Sequence, residues 1–98
     1  MRFRQDIEFR TSRIDDFNTH LDAWITKTQG QRIPHQATLC QDRDAENLYL
    51  LTVEFSSHAI GMENSGRPET GEFAEFLGSI ADGPLGFRNL DVIRTLDL

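Results

Sequence analysis

An α+β fold, an antiparallel sheet with helices on one face, is predicted by three features of this sequence. Its first and last segments alternate apolar and polar residues, one strand-length run is apolar on both sides, and two stretches repeat apolar residues at helical spacing. At 98 residues the chain has room for a single domain, residues 1–98, and none for a second core. Hydrophobic residues make up 38% and charged residues 27%, a balance of folded chains rather than of disordered or membrane-embedded ones. A domain of this size buries only about 60 to 70% of its unfolded surface, so association with a second subunit is expected.

From Arg2 to Arg10, Phe3, Ile7 and Phe9 alternate with Arg2, Arg4, Asp6 and Glu8, the period of a half-buried strand. Ser12 then offers a hydroxyl cap, and Ile14, Phe17, Leu21, Trp24 and Ile25 form the apolar stripe of a helix that ends near Gly30. Pro34 stops any continuation, and Gln36 to Gln41 reads as a second strand with Ala37 and Leu39 on one face. Asp42 to Asn47 is polar hairpin-loop material. Leu48 to Phe55 follows as the clearest strand, with Leu48 and Leu50 on one side and Tyr49, Leu51, Val53 and Phe55 on the other. Ser56 or Ser57 caps a short helix from His58 through Glu63, broken by Gly66-Arg67-Pro68. Pro68 suits the first turn of a second long helix, whose stripe is Phe73, Phe76, Leu77 and Ile80 and whose end is Asp82-Gly83-Pro84. Phe87 to Thr95 alternates again as the final strand.

Strand, helix, strand, strand, broken helix, strand is the split βαβ, or ferredoxin-like βαββαβ, order. Helices on one face leave the other face of the sheet bare. The apolar outer side of Leu48 to Phe55 then predicts a homodimer, two sheets packed face to face through the exposed sheet face as a barrel about a two-fold axis.

Charge narrows the partners. Ten Lys and Arg against sixteen Asp and Glu leave a net charge of −6, and no four basic residues cluster. Phosphate backbones and anionic membranes are repelled by such a surface, so neither nucleic acid nor membrane is expected as a partner. Cys40 is the one cysteine, which excludes an internal disulfide and a cysteine-rich zinc site. With charges interleaved from Met1 to Asp6 where a signal peptide needs an apolar stretch, the expected location is cytoplasmic.

Three segments carry a family resemblance. Tyr49-Leu50-Leu51-Thr52-Val53-Glu54-Phe55-Ser56-Ser57, Met62-Glu63-Asn64-Ser65-Gly66-Arg67-Pro68-Glu69-Thr70-Gly71-Glu72-Phe73 and Gly83-Pro84-Leu85-Gly86-Phe87-Arg88-Asn89-Leu90-Asp91-Val92 resemble the dimeric α/β-barrel superfamily, in its antibiotic-biosynthesis-monooxygenase-like branch. The resemblance implies a ligand pocket between the helices and the face of the sheet they cover. It also implies a class of activity, cofactor-independent oxygenation of a polycyclic phenol or anthrone-like compound, in which the deprotonated substrate reduces oxygen directly. Fold alone is shared with members of other chemistry, so a non-catalytic barrel that holds a small hydrophobic ligand, or an accessory protein, is the alternative. The haem-degrading pattern is not matched: the first strand has no Asn, and no His follows His58.

Six residues are candidates for the site. Trp24 and Phe17 would stack on a planar aromatic ligand, with ordinary core packing as the alternative. Tyr49 would hydrogen-bond that ligand from its strand. His20, four residues before Trp24, and His58, opening the short helix, are the candidate bases for a phenolic proton, and Asn64 the donor that stabilises the resulting anion. Solvated surface positions are the alternative for both histidines. His35 follows Pro34 in a loop and has no partner at metal-ligand spacing. The three histidines form no HxxxH or HExxH pair, and the glycines form neither GxGxxG nor a P-loop, so no metal and no cofactor is expected.

Overall fold

In the computed structural model, which describes residues 1–30 and 34–98, the alternating first segment folds as β1 (Phe3–Arg10). There follow α1 (Ile14–Lys27), β2 (Gln36–Gln41), β3 (Leu48–Phe55), α2 (His58–Ser65), α3 (Pro68–Ile80) and β4 (Gly86–Asp91). All strand pairs are antiparallel and the spatial order is β2-β3-β1-β4, the expected ferredoxin-like sheet.

Register decides what faces the helices. Phe3 pairs with Phe55, Gln5 with Val53, Ile7 with Leu51 and Phe9 with Tyr49, so the odd residues of both central strands share one face. On that inner face Ile7, Phe9, Tyr49 and Leu51 join Phe17 of α1 and Leu77 and Ile80 of α3 in one buried cluster. The phenyl rings of Phe9 and Phe17 lie 5.2 Å apart, and Tyr49 stacks on Phe9 at 5.8 Å. Aromatic pairs at such distances add to the burial term that holds helix to sheet.

The first cap differs from the expectation. Ser12 does not cap α1 with its hydroxyl. The N-cap is Arg13, which has no side-chain cap hydrogen bond, and fully buried Thr11 braces the turn before it: its Oγ1 accepts from the Arg13 N–H at 3.0 Å and donates to the Ile80 carbonyl at 2.7 Å. Asp82 reinforces this knot, accepting the Ser12 N–H at 3.0 Å and donating its own N–H to the Arg10 carbonyl at 2.6 Å. The start of α1 is thereby tied to the end of α3. Of the two serines before α2, Ser57 is the cap, its Oγ accepting from the Ile60 N–H at 3.2 Å. α2 lies so close to β1 that a Cβ on Gly61 would come within 2.6 Å of the Phe3 ring, which explains a glycine in mid-helix.

The outer face carries no helix. Its apolar part is Leu48 and Leu50, half-buried on β3, with Leu90 on β4, whereas Thr52 and Glu54 make the second half of β3 polar there. Asp6, read from the alternation as a surface residue, is only 5% exposed. Arg4 shields it: Nη2 donates to Oδ2 at 3.1 Å, and Nε lies 3.0 Å from Oδ1 as an ion pair without hydrogen-bond geometry. A carboxylate so shielded needs its counter-charge close by. Cys40 is exposed. β4 ends at Asp91, short of the expected Thr95, and Ile93, Leu96 and Leu98 beyond it are exposed. Among the described residues, no helix is long and apolar enough to cross a membrane.

Candidate functional site

The inner face is not filled along its whole length. At the end away from the Thr11 knot the helices stand off the sheet and leave a cavity of about 310 Å3. Its floor is Gln5, Ile7, Leu51, Val53 and Phe55 of the central strands. Leu21, Trp24 and Ile25 from the second half of α1 form one wall. Asn64 at the end of α2, with Thr70 and Phe73 of α3, forms another, and the segment from Pro34 to Ala37 leading into β2 is the third. Ile25, His35, Gln36 and Ala37 are exposed and make the rim. A volume at the low end of ligand pockets, mostly apolar with a few polar groups, is what a small flat molecule needs.

Local sequence accounts for the hollow. The inward row of β1 reads Phe3, Gln5, Ile7, Phe9, and the amide at its second place reaches sideways, its Nε2 donating to Asn89 Oδ1 at 3.1 Å. Across β3, the facing residue of β2 is Ala37, paired with Val53. One sideways amide and one methyl leave space that Phe17 fills at the opposite end.

The six expected site residues separate into two groups. Trp24 and Asn64 line the cavity. The Trp24 indole meets Phe73 edge-on at 6.2 Å, and its Nε1 is buried without a hydrogen-bond partner among the described residues. Asn64 is 8% exposed, and its backbone carbonyl accepts from the Arg67 N–H at 3.1 Å. The other four stand elsewhere. Phe17 is 0% exposed between Phe9 and Phe73, and Tyr49 is buried on Phe9, so both are core residues away from the cavity wall. His20 stacks face to face on Phe76 at 3.8 Å between α1 and α3. His58 is exposed and meets Phe3 edge-on at 5.0 Å. Neither imidazole lines the cavity.

The histidine that does is His35. Its Nε2 lies 3.4 Å from Glu54 Oε2, and its backbone N–H donates to the Glu54 carbonyl at 3.1 Å. Glu54 Oε2 also has Arg2 Nη1 at 3.7 Å. Sequence reading passed His35 over because its partner is distant in the chain and is brought alongside only by the pairing of β2 with β3. Among the described residues, no group of three or more His, Cys, Asp or Glu side chains is placed to hold a metal ion. A second hollow of about 200 Å3, lined by Glu8, Cys40, Gln41, Asp42, Leu48, Tyr49 and Leu50, lies at the β2–β3 hairpin. Tyr49 is the aromatic residue of its lining, against Trp24, Phe55 and Phe73 in the larger cavity.

Solved structures resemble the chain over nearly its full length. Rv0793 from Mycobacterium tuberculosis matches with a TM-score of 0.77 at 17% identity, covering 99% of this chain and 100% of that one. SnoaB, a cofactor-independent oxygenase from Streptomyces nogalater, gives a TM-score of 0.78 at 16% identity over 97% of this chain and 96% of its own. A candidate antibiotic biosynthesis monooxygenase from Caulobacter crescentus gives 0.78 at 11% identity, with 95% of this chain and 91% of that one covered. No family model matches the sequence, and no curated protein matches it. Identities this low speak for fold and not for chemistry. The chain has the ferredoxin-like fold of the antibiotic-biosynthesis-monooxygenase-like proteins.

Proposed function

We propose that the cavity between α1, α3 and the sheet binds a flat aromatic small molecule, and that the protein acts on polycyclic phenolic or anthrone-like compounds as a cofactor-independent monooxygenase. The observation that carries this reading is the pairing of aromatic walls, Trp24 and Phe73, with the buried amide residue Asn64 in one hollow. The fold shared with SnoaB supports it. In the reaction a substrate methylene loses a proton, and the carbanion passes electrons to dioxygen and bonds to it. Loss of water from the resulting peroxide leaves a carbonyl. One oxygen atom ends in the product and one in water, with the substrate as the reductant. Asn64 would donate to the substrate oxygen on which the negative charge gathers. Trp24 and Phe73 would hold the rings.

The assembly is a homodimer through the outer sheet face, where Leu48, Leu50 and Leu90 have no helix over them. Single, exposed Cys40 suits a reducing, cytoplasmic setting. One observation favours the alternative, a non-catalytic carrier of the same ligand: neither His20 nor His58 reaches the cavity.

Oxygen uptake with a panel of anthrones and naphthols, read beside native mass spectrometry, tests the reading. Uptake that falls at least tenfold in Asn64→Ala, in a protein of dimer mass, is the expected result. Ligand binding with no uptake by any substrate leaves the carrier, and a monomer removes the barrel.

A further inference from the structure

Among the described residues that line the cavity, His35 is the one titratable side chain; the rest of the wall is apolar, amide, hydroxyl or indole. Any proton that a ligand gives up inside this hollow must go to His35 or to solvent. Glu54 prepares His35 for the first course. A carboxylate 3.4 Å from Nε2 favours the tautomer that keeps its proton on Nε2, which leaves the Nδ1 lone pair free to accept. Once Nδ1 is protonated, the same contact becomes an ion pair with a carboxylate only 20% exposed, where attraction is stronger than in bulk water. Arg2 Nη1, 3.7 Å from the same Glu54 oxygen, shares that carboxylate. The Pro34–Ala37 segment is fixed beside it by the His35 N–H to Glu54 carbonyl bond of 3.1 Å.

We infer that His35 is the catalytic proton acceptor of this cavity and Glu54 its positioning residue. The inference rests on the ligand reading above. In the step, the bond to the acidic hydrogen of the ligand breaks, its electron pair stays on the ligand, and the proton forms a new N–H bond at Nδ1. No oxidant enters. The product is a ligand anion lying beside an imidazolium that Glu54 holds. A ligand of this site therefore carries a hydrogen acidic enough for imidazole, as a phenol or an anthrone methylene does and a plain fused hydrocarbon does not.

The test is an anaerobic absorbance titration with dihydroxyanthrone, whose anion absorbs at longer wavelength than the neutral compound. It is run across pH on the full chain, on His35→Gln and on Glu54→Gln. The probe is expected to bind all three proteins with similar affinity. The pH at which the bound anion is half-formed should lie lowest in the wild type, and higher by about one pH unit in His35→Gln, the tenfold loss of a neighbouring charge. Glu54→Gln should fall between them, a displacement that a merely structural role for Glu54 would not produce. His35 is exposed, so its replacement leaves the core intact, and His35→Asn serves as a second variant. Unchanged ionisation in both His35 variants overturns the inference while leaving the cavity reading in place. Absence of probe binding to the wild type overturns the cavity reading, and the inference with it.

Discussion

At the Phe9 end of the layer between sheet and helices, Phe17 is 0% exposed and its ring lies 5.2 Å from that of Phe9. At the Gln5 end the same strands and the same helix α1 enclose about 310 Å3 of empty space. The difference lies in a few side chains rather than in the backbone. Gln5 turns its amide to Asn89, Ala37 contributes a methyl, and the aromatic residues Trp24 and Phe73 meet edge-on without closing over the sheet. A packed end lets the fold keep an unpacked one, because close packing at the first supplies the burial that the second gives up.

That contrast is broken most directly at the packed end. Phe17→Ala should lower the unfolding free energy by about 3 to 5 kcal/mol in urea titration, the range for emptying a large buried aromatic site. A loss below about 1 kcal/mol would mean that the cluster around Phe9 is not the core. At the hollow end the effects should exchange places. Ala37→Phe brings a ring to the cavity rim, and because Ala37 is exposed its stability should stay within about 0.5 kcal/mol of the wild type. Calorimetric titration with dihydroxyanthrone should nonetheless show binding weakened at least tenfold, roughly 1.4 kcal/mol. Trp24→Phe should likewise cost little stability. The ring it removes is larger than the one it installs, but the buried, unpartnered Nε1–H goes too, and an unsatisfied buried donor costs about 1 to 3 kcal/mol. Thermal unfolding should therefore move by no more than about 1 kcal/mol, far less than an ordinary buried tryptophan would give up.

Sequence pattern foretold the packed end more fully than the hollow one. Alternation in β1 and helical spacing in α1 placed Phe9 and Phe17 toward a common core because periodicity is a local property. The same rule read Asp6 as a surface residue and missed its burial, since alternation puts Arg4 and Asp6 on one face but does not say that the long arginine side chain folds over the carboxylate. Trp24 and Asn64 were found by side-chain chemistry and both reach the cavity, whereas His20 and His58 were drawn by the same chemistry and do not. Proximity along one helix said nothing about direction: His20, one turn before Trp24, meets Phe76 of α3 instead. His35 was the opposite case, overlooked because its partner Glu54 and the cavity wall are assembled only by strand pairing. A polar residue such as Gln5 in the middle of an apolar inward row was the one local sign that the layer is not solid there.

Trp24 is the chain's only tryptophan, and it stands on the wall of the hollow rather than in the packed cluster. Intrinsic fluorescence will accordingly answer to what occupies the hollow before it answers to unfolding. A ligand carried through purification would quench or shift that emission in a protein that is fully folded, and an apparent change of state in such a trace would be an occupancy signal.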